Sequence, residues 1–175
     1  IIGAEFLLNK LLSSPKSGDR YNIFNTLSIE LNTVNTDPYM LSKEYTEKCE
    51  FKISHAPEIY GATLTLQKLK NLDISTFISS ATPEHTLKKI IKLRNWESLF
   101  DKIFGSPRSK LVHIQTILKE NKFSKSEIIY VGDSEVDKNA SSLVGCKFVG
   151  IGKDIKRFKS KPEFFFESLE NLTLE

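Results

Sequence analysis

Two rhythms of apolar and polar positions divide the chain near residue 57. From Ile1 to about Ala56 the pattern is helical and irregular. Phe6, Leu7, Leu8, Leu11 and Leu12 mark one amphipathic helix, broken by Ser13-Ser14-Pro15-Lys16-Ser17-Gly18. A second apolar segment, Tyr21 to Val34, is ambiguous between helix and strand. A third, Pro38 to about Phe51, reads as a helix with Asp37 as N-cap and Pro38 at its first position. After Pro57 the rhythm becomes regular. Helix Ala62–Leu69 precedes strand Ile74–Ile78, and helix Glu84–Leu93 precedes a short strand near Lys102–Phe104. Helix Lys110–Lys119 leads to strand Ile128–Val131. Helix Lys138–Leu143 ends near Gly145, a left-handed terminator before strand Lys147–Ile151. An apolar patch, Phe164-Phe165-Phe166, and a short helix through Leu169 and Leu172 close the sequence. Strands alternating with helices predict an α/β fold, a doubly wound, Rossmann-like parallel sheet with helices on both faces. The helical segment 1–56 forms a small separate lobe, and 57–175 the α/β core.

Length and composition change this picture little. A chain of 175 residues buries one substantial core plus a small lobe. Contents of 39% hydrophobic and 27% charged residues are those of an ordinary globular protein, and no apolar stretch approaches the ~20 residues of a bilayer span. Cys49 and Cys146 lie far apart and follow no secretory signal, so a reducing cytoplasm is expected and a disulfide framework is not. A net charge of +3 gives no argument for nucleic acid. Lys88, Lys89 and Lys92 read as a solvated helix face. Lys153, Lys156, Lys159 and Lys161 surround a late loop that could favour an anionic ligand.

Candidate chemistry sits at three strand ends. Ile128-Ile129-Tyr130-Val131 is apolar throughout, as in a strand buried on both faces, and stops at Gly132, which eases the turn. Asp133 follows, with Asp137 one helical turn further on. Two hard oxygen ligands at an open sheet rim suit Mg²⁺, which keeps several waters and takes phosphate oxygens. An acid-capped helix N-terminus is the other reading of the same pair. After Ile78 come Ser79-Ser80-Ala81-Thr82-Pro83-Glu84: small hydroxyls before a helix start, suited to a phosphoryl group, or simply Thr82 as a helix cap. Gly105-Ser106-Pro107-Arg108-Ser109-Lys110 brings a lysine to a helix N-terminus, where the dipole disfavours it. That ammonium could neutralise a carboxylate or a phosphate, or be solvated. His55, His85 and His113 are isolated and read as structural or exposed. Trp96, Leu99 and Phe100 read as core.

In order and approximate spacing, the three segments 77–83, 105–110 and 131–137 resemble the motifs of the haloacid dehalogenase-like (HAD) hydrolases, over roughly Ile59 to Lys153. Ile59-Tyr60-Gly61 looks like the point where that family's chain re-enters its core from a helical cap. The resemblance implies Mg²⁺-dependent phosphoryl transfer on a small phosphorylated substrate. Ser80 would bind the phosphoryl group, with Ser79 as the fallback and the amide of Ala81 beside them. Lys110 would balance charge, and Asp133 and Asp137 would hold Mg²⁺ directly or through water. The family's first motif, Asp-x-Asp-x-Thr after a buried strand, has no counterpart. Before Ser79 the aspartates are Asp19, Asp37 and Asp73, and the nearest imitation is Asn22-Ile23-Phe24-Asn25-Thr26-Leu27. The nucleophile is therefore expected on about 10 to 30 further residues upstream, a strand plus a loop. The alternatives are a degenerate motif at Asn22–Leu27, or a phosphate- and metal-binding protein without turnover. A phosphomutase on the same core also stays open, whereas a metal pair disfavours a dehalogenase. A monomer or weak homodimer is expected, with no nucleic-acid or membrane partner. Segment 1–56 matches no substrate motif.

Overall fold

The computed structural model describes residues 2–13, 20–32 and 37–172. The chain divides into two units, Ile1–His55 and Ala56–Glu175. In the first, helices α1 (Ile2–Ser13), α2 (Arg20–Glu30) and α3 (Pro38–His55) follow one another. The ambiguous second segment is thus a helix. Ile23 and Phe24 on α2 are buried, and the Phe24 ring meets Tyr45 of α3 edge-on at 5.4 Å. Asp37 caps α3 as expected, its Oδ1 accepting from the Tyr39 amide at 2.9 Å. Asn22–Leu27 lies wholly within α2, so the strand that a degenerate first motif requires does not form there.

The second unit is α/β. In order it contains α4 (Ala62–Asn71), β1 (Phe77–Pro83), α5 (Glu84–Leu93), β2 (Lys102–Ser106), α6 (Lys110–Asn121), β3 (Ile129–Gly132), α7 (Glu135–Val144), β4 (Lys147–Ile151) and β5 (Phe164–Phe166). Every strand pair is parallel, which requires a crossover connection between its strands: α5 for β1–β2, α7 for β3–β4, and the segment 152–163 for β4–β5. The expected single sheet is two: β1 pairs with β2, and β4 lies between β3 and β5.

Gly61 opens α4 in the left-handed region, at φ 80°, where a Cβ would also stand 2.8 Å from that of Glu170. At the other end Gly145 terminates α7 at φ 82°, donating to the Ser141 carbonyl, as its position in the sequence predicts.

The first strand starts three residues later and runs five further than the expected Ile74–Ile78. The Thr76 amide is held by Asp101 Oδ2 at 2.8 Å, and the ladder then opens at Phe77 against Lys102. It continues through an irregularity after Ser79 to Pro83 against Ser106, so Ser79 and Ser80 belong to the strand itself. Thr82 does not cap α5: Pro83 holds the N-cap position, without a side-chain bond. β3 also departs from expectation. Tyr130 is buried, but Ile129 and Val131 are 50% and 37% exposed, so this strand has one covered face rather than two. The core gathers Ile114, Tyr130, Ala140 and Cys146, with Leu118, Ile128, Val144 and Phe148 packed around them. Of the expected aromatic core near Trp96, Leu99 alone is buried, while Trp96 is half-covered beneath the Arg94 guanidinium, 4.1 Å above its ring.

Candidate active site

Lys110 begins α6 behind Ser109, whose hydroxyl accepts from the Val112 amide at 3.4 Å. Its ammonium meets Asp137 Oδ1 of the first turn of α7. Oδ1 accepts also from the Tyr130 phenol at 3.2 Å, and Oδ2 accepts from the Ser134 hydroxyl at 2.5 Å. The Asp137 side chain is 5% exposed and that of Lys110 19%, so both charges are largely out of water. Gly132 makes the arrangement possible by its lack of a side chain. A Cβ there would fall 2.4 Å from the Asp137 Cβ, so close approach, rather than the expected freedom to turn, explains the residue.

From Tyr130 a relay of polar contacts leads to the other sheet. The phenol also faces Ser79 of β1, and burial pushes its pKa well above the ordinary value, so it stays protonated. Ser79 Oγ lies 2.8 Å from His113 Nδ1, and His113 Nε2 lies 3.2 Å from the Gly105 carbonyl oxygen. A carbonyl only accepts, which puts the imidazole proton on Nε2 and leaves Nδ1 to accept from Ser79. Burial pushes the His113 pKa down, consistent with a neutral ring.

A testable consequence concerns acid stability. The unfolded chain binds a proton at His113 near pH 6.5, above the folded pKa. The stabilisation is therefore fully present above that pH and is lost as pH falls toward and through the folded value. The unfolding free energy should decline from pH 7 to 5, and His113→Asn should flatten the decline in parallel urea titrations. An unchanged slope would place the effect elsewhere.

The remaining expected site residues have different surroundings. Ser80 Oγ accepts from the Thr82 amide at 3.1 Å, which leaves its own proton for donation. Ala81 is exposed at the strand's end. Asp133 is 55% exposed at its side chain, and its Oδ2 accepts from Arg157 Nη1 at 2.7 Å. No group of three or more His, Cys, Asp or Glu gathers among the described residues. The donor set would fit Mg²⁺ in one way: Asp133 offers an exposed carboxylate oxygen, while Asp137, already held by three donors, would act only through a water. An ion that takes only one or two carboxylates and fills its shell with water and phosphate is compatible with that supply. A separate cavity of about 370 Å³ runs along β2 between Glu84, Lys88, Phe100 and Arg108, and contains none of these groups.

Sequence reasoning missed Tyr130, His113 and Ser134. For His113 a signal existed: it lies three residues beyond Lys110, on the same helix face.

The family model of the haloacid dehalogenase-like hydrolases matches residues 15–151. The chain belongs to that family. None of the curated proteins matches it in sequence. Solved structures of the HAD fold superpose over nearly its whole length. A protein assigned as the HAD-hydrolase YfnB of Bacillus subtilis, bound to magnesium, is 17% identical with a TM-score of 0.76, covering 98% of this chain and 79% of that one. A protein described as a predicted phosphoglycolate phosphatase of Haemophilus somnus is 16% identical at 0.75, over 95% and 85%. A protein assigned as a β-phosphoglucomutase of Thermotoga maritima is 14% identical at 0.73, over 93% and 78%. Identities this low establish the shared HAD fold and leave substrate and chemistry to the residues.

Proposed function

We infer that this HAD-like hydrolase is a Mg²⁺-dependent phosphatase of a small phosphorylated metabolite. The observation that carries the reading is the convergence of Lys110, Asp137 and Ser79, from three separated motifs, on one relay through Tyr130. Ser80 donates its free proton to a phosphoryl oxygen, with Ser79 held behind it by His113 and the Ala81 amide beside it. Lys110 balances the phosphate charge, and Asp137 fixes the ammonium's position. Asp133 would hold Mg²⁺, and Asp137 would support the ion through water. When bound, Mg²⁺ supplies positive charge to the phosphoryl oxygens as negative charge builds on them. The attacking carboxylate is expected from an aspartate upstream of residue 1: its oxygen bonds to phosphorus as the ester P–O bond breaks and the alcohol leaves with a proton from solvent, and water then hydrolyses the aspartyl-phosphate, releasing phosphate and restoring the carboxylate. It rides on a strand placed between β1 and β3, two edges that are not paired with each other although Ser79 and Tyr130 meet across them. Helices α1 to α3 form the cap. The protein works in the cytoplasm as a monomer or weak homodimer. Among the described residues, no helix is long and apolar enough to cross a membrane.

The test is hydrolysis of a generic phosphomonoester by this chain and by a version extended at its N-terminus, with Mg²⁺ and with EDTA. Turnover by the extended protein, abolished by EDTA, is expected. Phosphoryl transfer to a second hydroxyl in place of water would make it a mutase. No turnover by either protein would leave the second reading, a phosphate- and metal-binding protein.

A further inference from the structure

Arg157 is held over Asp133 by its own segment. Between β4 and β5 the chain is basic, with Lys153, Lys156, Arg157, Lys159 and Lys161. Asp154 Oδ1 accepts from the Lys156 amide at 2.9 Å and so closes the short 3₁₀ turn Ile155–Arg157. The next residue, Phe158, is buried and packs edge-on against Phe148 at 5.8 Å and Phe165 at 6.0 Å. Beyond it, the Lys159 amide donates to Glu135 Oε2 at 2.9 Å and Lys138 Nζ donates to the Ser160 carbonyl at 2.7 Å. Arg157 therefore projects from a backbone anchored on both sides, and its guanidinium reaches the Asp133 carboxylate at 2.7 Å.

The consequence lies in the charge of the site. Lys110 matches Asp137 and Arg157 matches Asp133, so each of the two carboxylates already carries its own cation. A divalent ion entering this balanced set leaves two excess positive charges, which a phosphate dianion would neutralise. We propose that Arg157 is a built-in counter-cation of Asp133 that makes the divalent ion and phosphate bind as a pair. The ion alone competes with the guanidinium and is held weakly, and phosphate tightens it. Once released from Asp133, the guanidinium keeps its planar fork for phosphate oxygens. This rests on the reading of Asp133 as the ligand of Mg²⁺.

The experiment is calorimetric titration with Mg²⁺, with and without inorganic phosphate, of the chain and its Arg157→Gln and Asp133→Asn variants. An exposed ion pair contributes modestly, so Arg157→Gln should bind Mg²⁺ alone about two- to five-fold more tightly. Its gain in affinity on adding phosphate should be smaller than that of the parent. Circular dichroism would check that the variant is folded. Equal or weaker Mg²⁺ affinity in Arg157→Gln, or an equal phosphate gain, with binding lost in Asp133→Asn, would overturn the counter-cation and leave Asp133 as the ligand. Absence of Mg²⁺ binding to the parent chain, or undiminished binding by Asp133→Asn, would overturn both.

Discussion

Replacing Asp137 with alanine is expected to lower the unfolding free energy by about 3–5 kcal/mol, the usual cost of breaking a buried ion pair on one side only. The carboxylate is 5% exposed and its ammonium partner on Lys110 19%, so water cannot take over the interaction. The same substitution strips the Tyr130 phenol and the Ser134 hydroxyl of their acceptor. Urea unfolding monitored by circular dichroism would measure the loss. Changing both partners, Lys110→Met with Asp137→Leu, should recover the part of the loss that comes from the unpaired ammonium, because neither change then leaves a charge uncompensated, while the acceptor lost to Tyr130 and Ser134 stays lost. A single-variant loss below about 1 kcal/mol would mean that the pair behaves as an exposed one.

Asp133→Asn should do the reverse. Its side chain is 55% exposed and its partner Arg157 53%, so the change in stability should stay within about 0.5 kcal/mol. Mg²⁺-dependent phosphomonoester hydrolysis by the extended protein should fall to background, because an amide oxygen carries no full charge with which to hold a hard cation. Full activity in this variant would remove Asp133 from the reaction. The two aspartates, four positions apart on one turn, thus separate by environment: one buried and holding the fold, the other wet and available.

How much of this was legible in the sequence depended on whether the signal was local. The Asp37 cap, the Gly145 terminator and the alternation of helix and strand after Pro57 are each set within a few residues, and each was read directly. The limits of β1 were not, because its start is fixed by Asp101, 25 residues beyond Thr76, and its length by a bulge against β2. The four apolar residues before Gly132 gave the strand but not its exposed face, since coverage depends on what packs there. Ser79, His113, Tyr130 and Asp137 form their relay across nearly sixty residues of sequence, a separation no periodicity records. Lys110 and Asp137 were legible only as members of an ordered set of motifs, and Ser134 between them gave no sign of its role.

The division of the strands into β1–β2 and β3–β4–β5 has a dynamic consequence. No backbone ladder joins the two groups, and α6, which packs on both β1 and α7, is one link between them. Each group can therefore open without first tearing the other, in separate cooperative steps. Amide protons of β2 should then exchange with solvent on a different schedule from those of β4, and a strand seated along the seam would merge the two schedules into one.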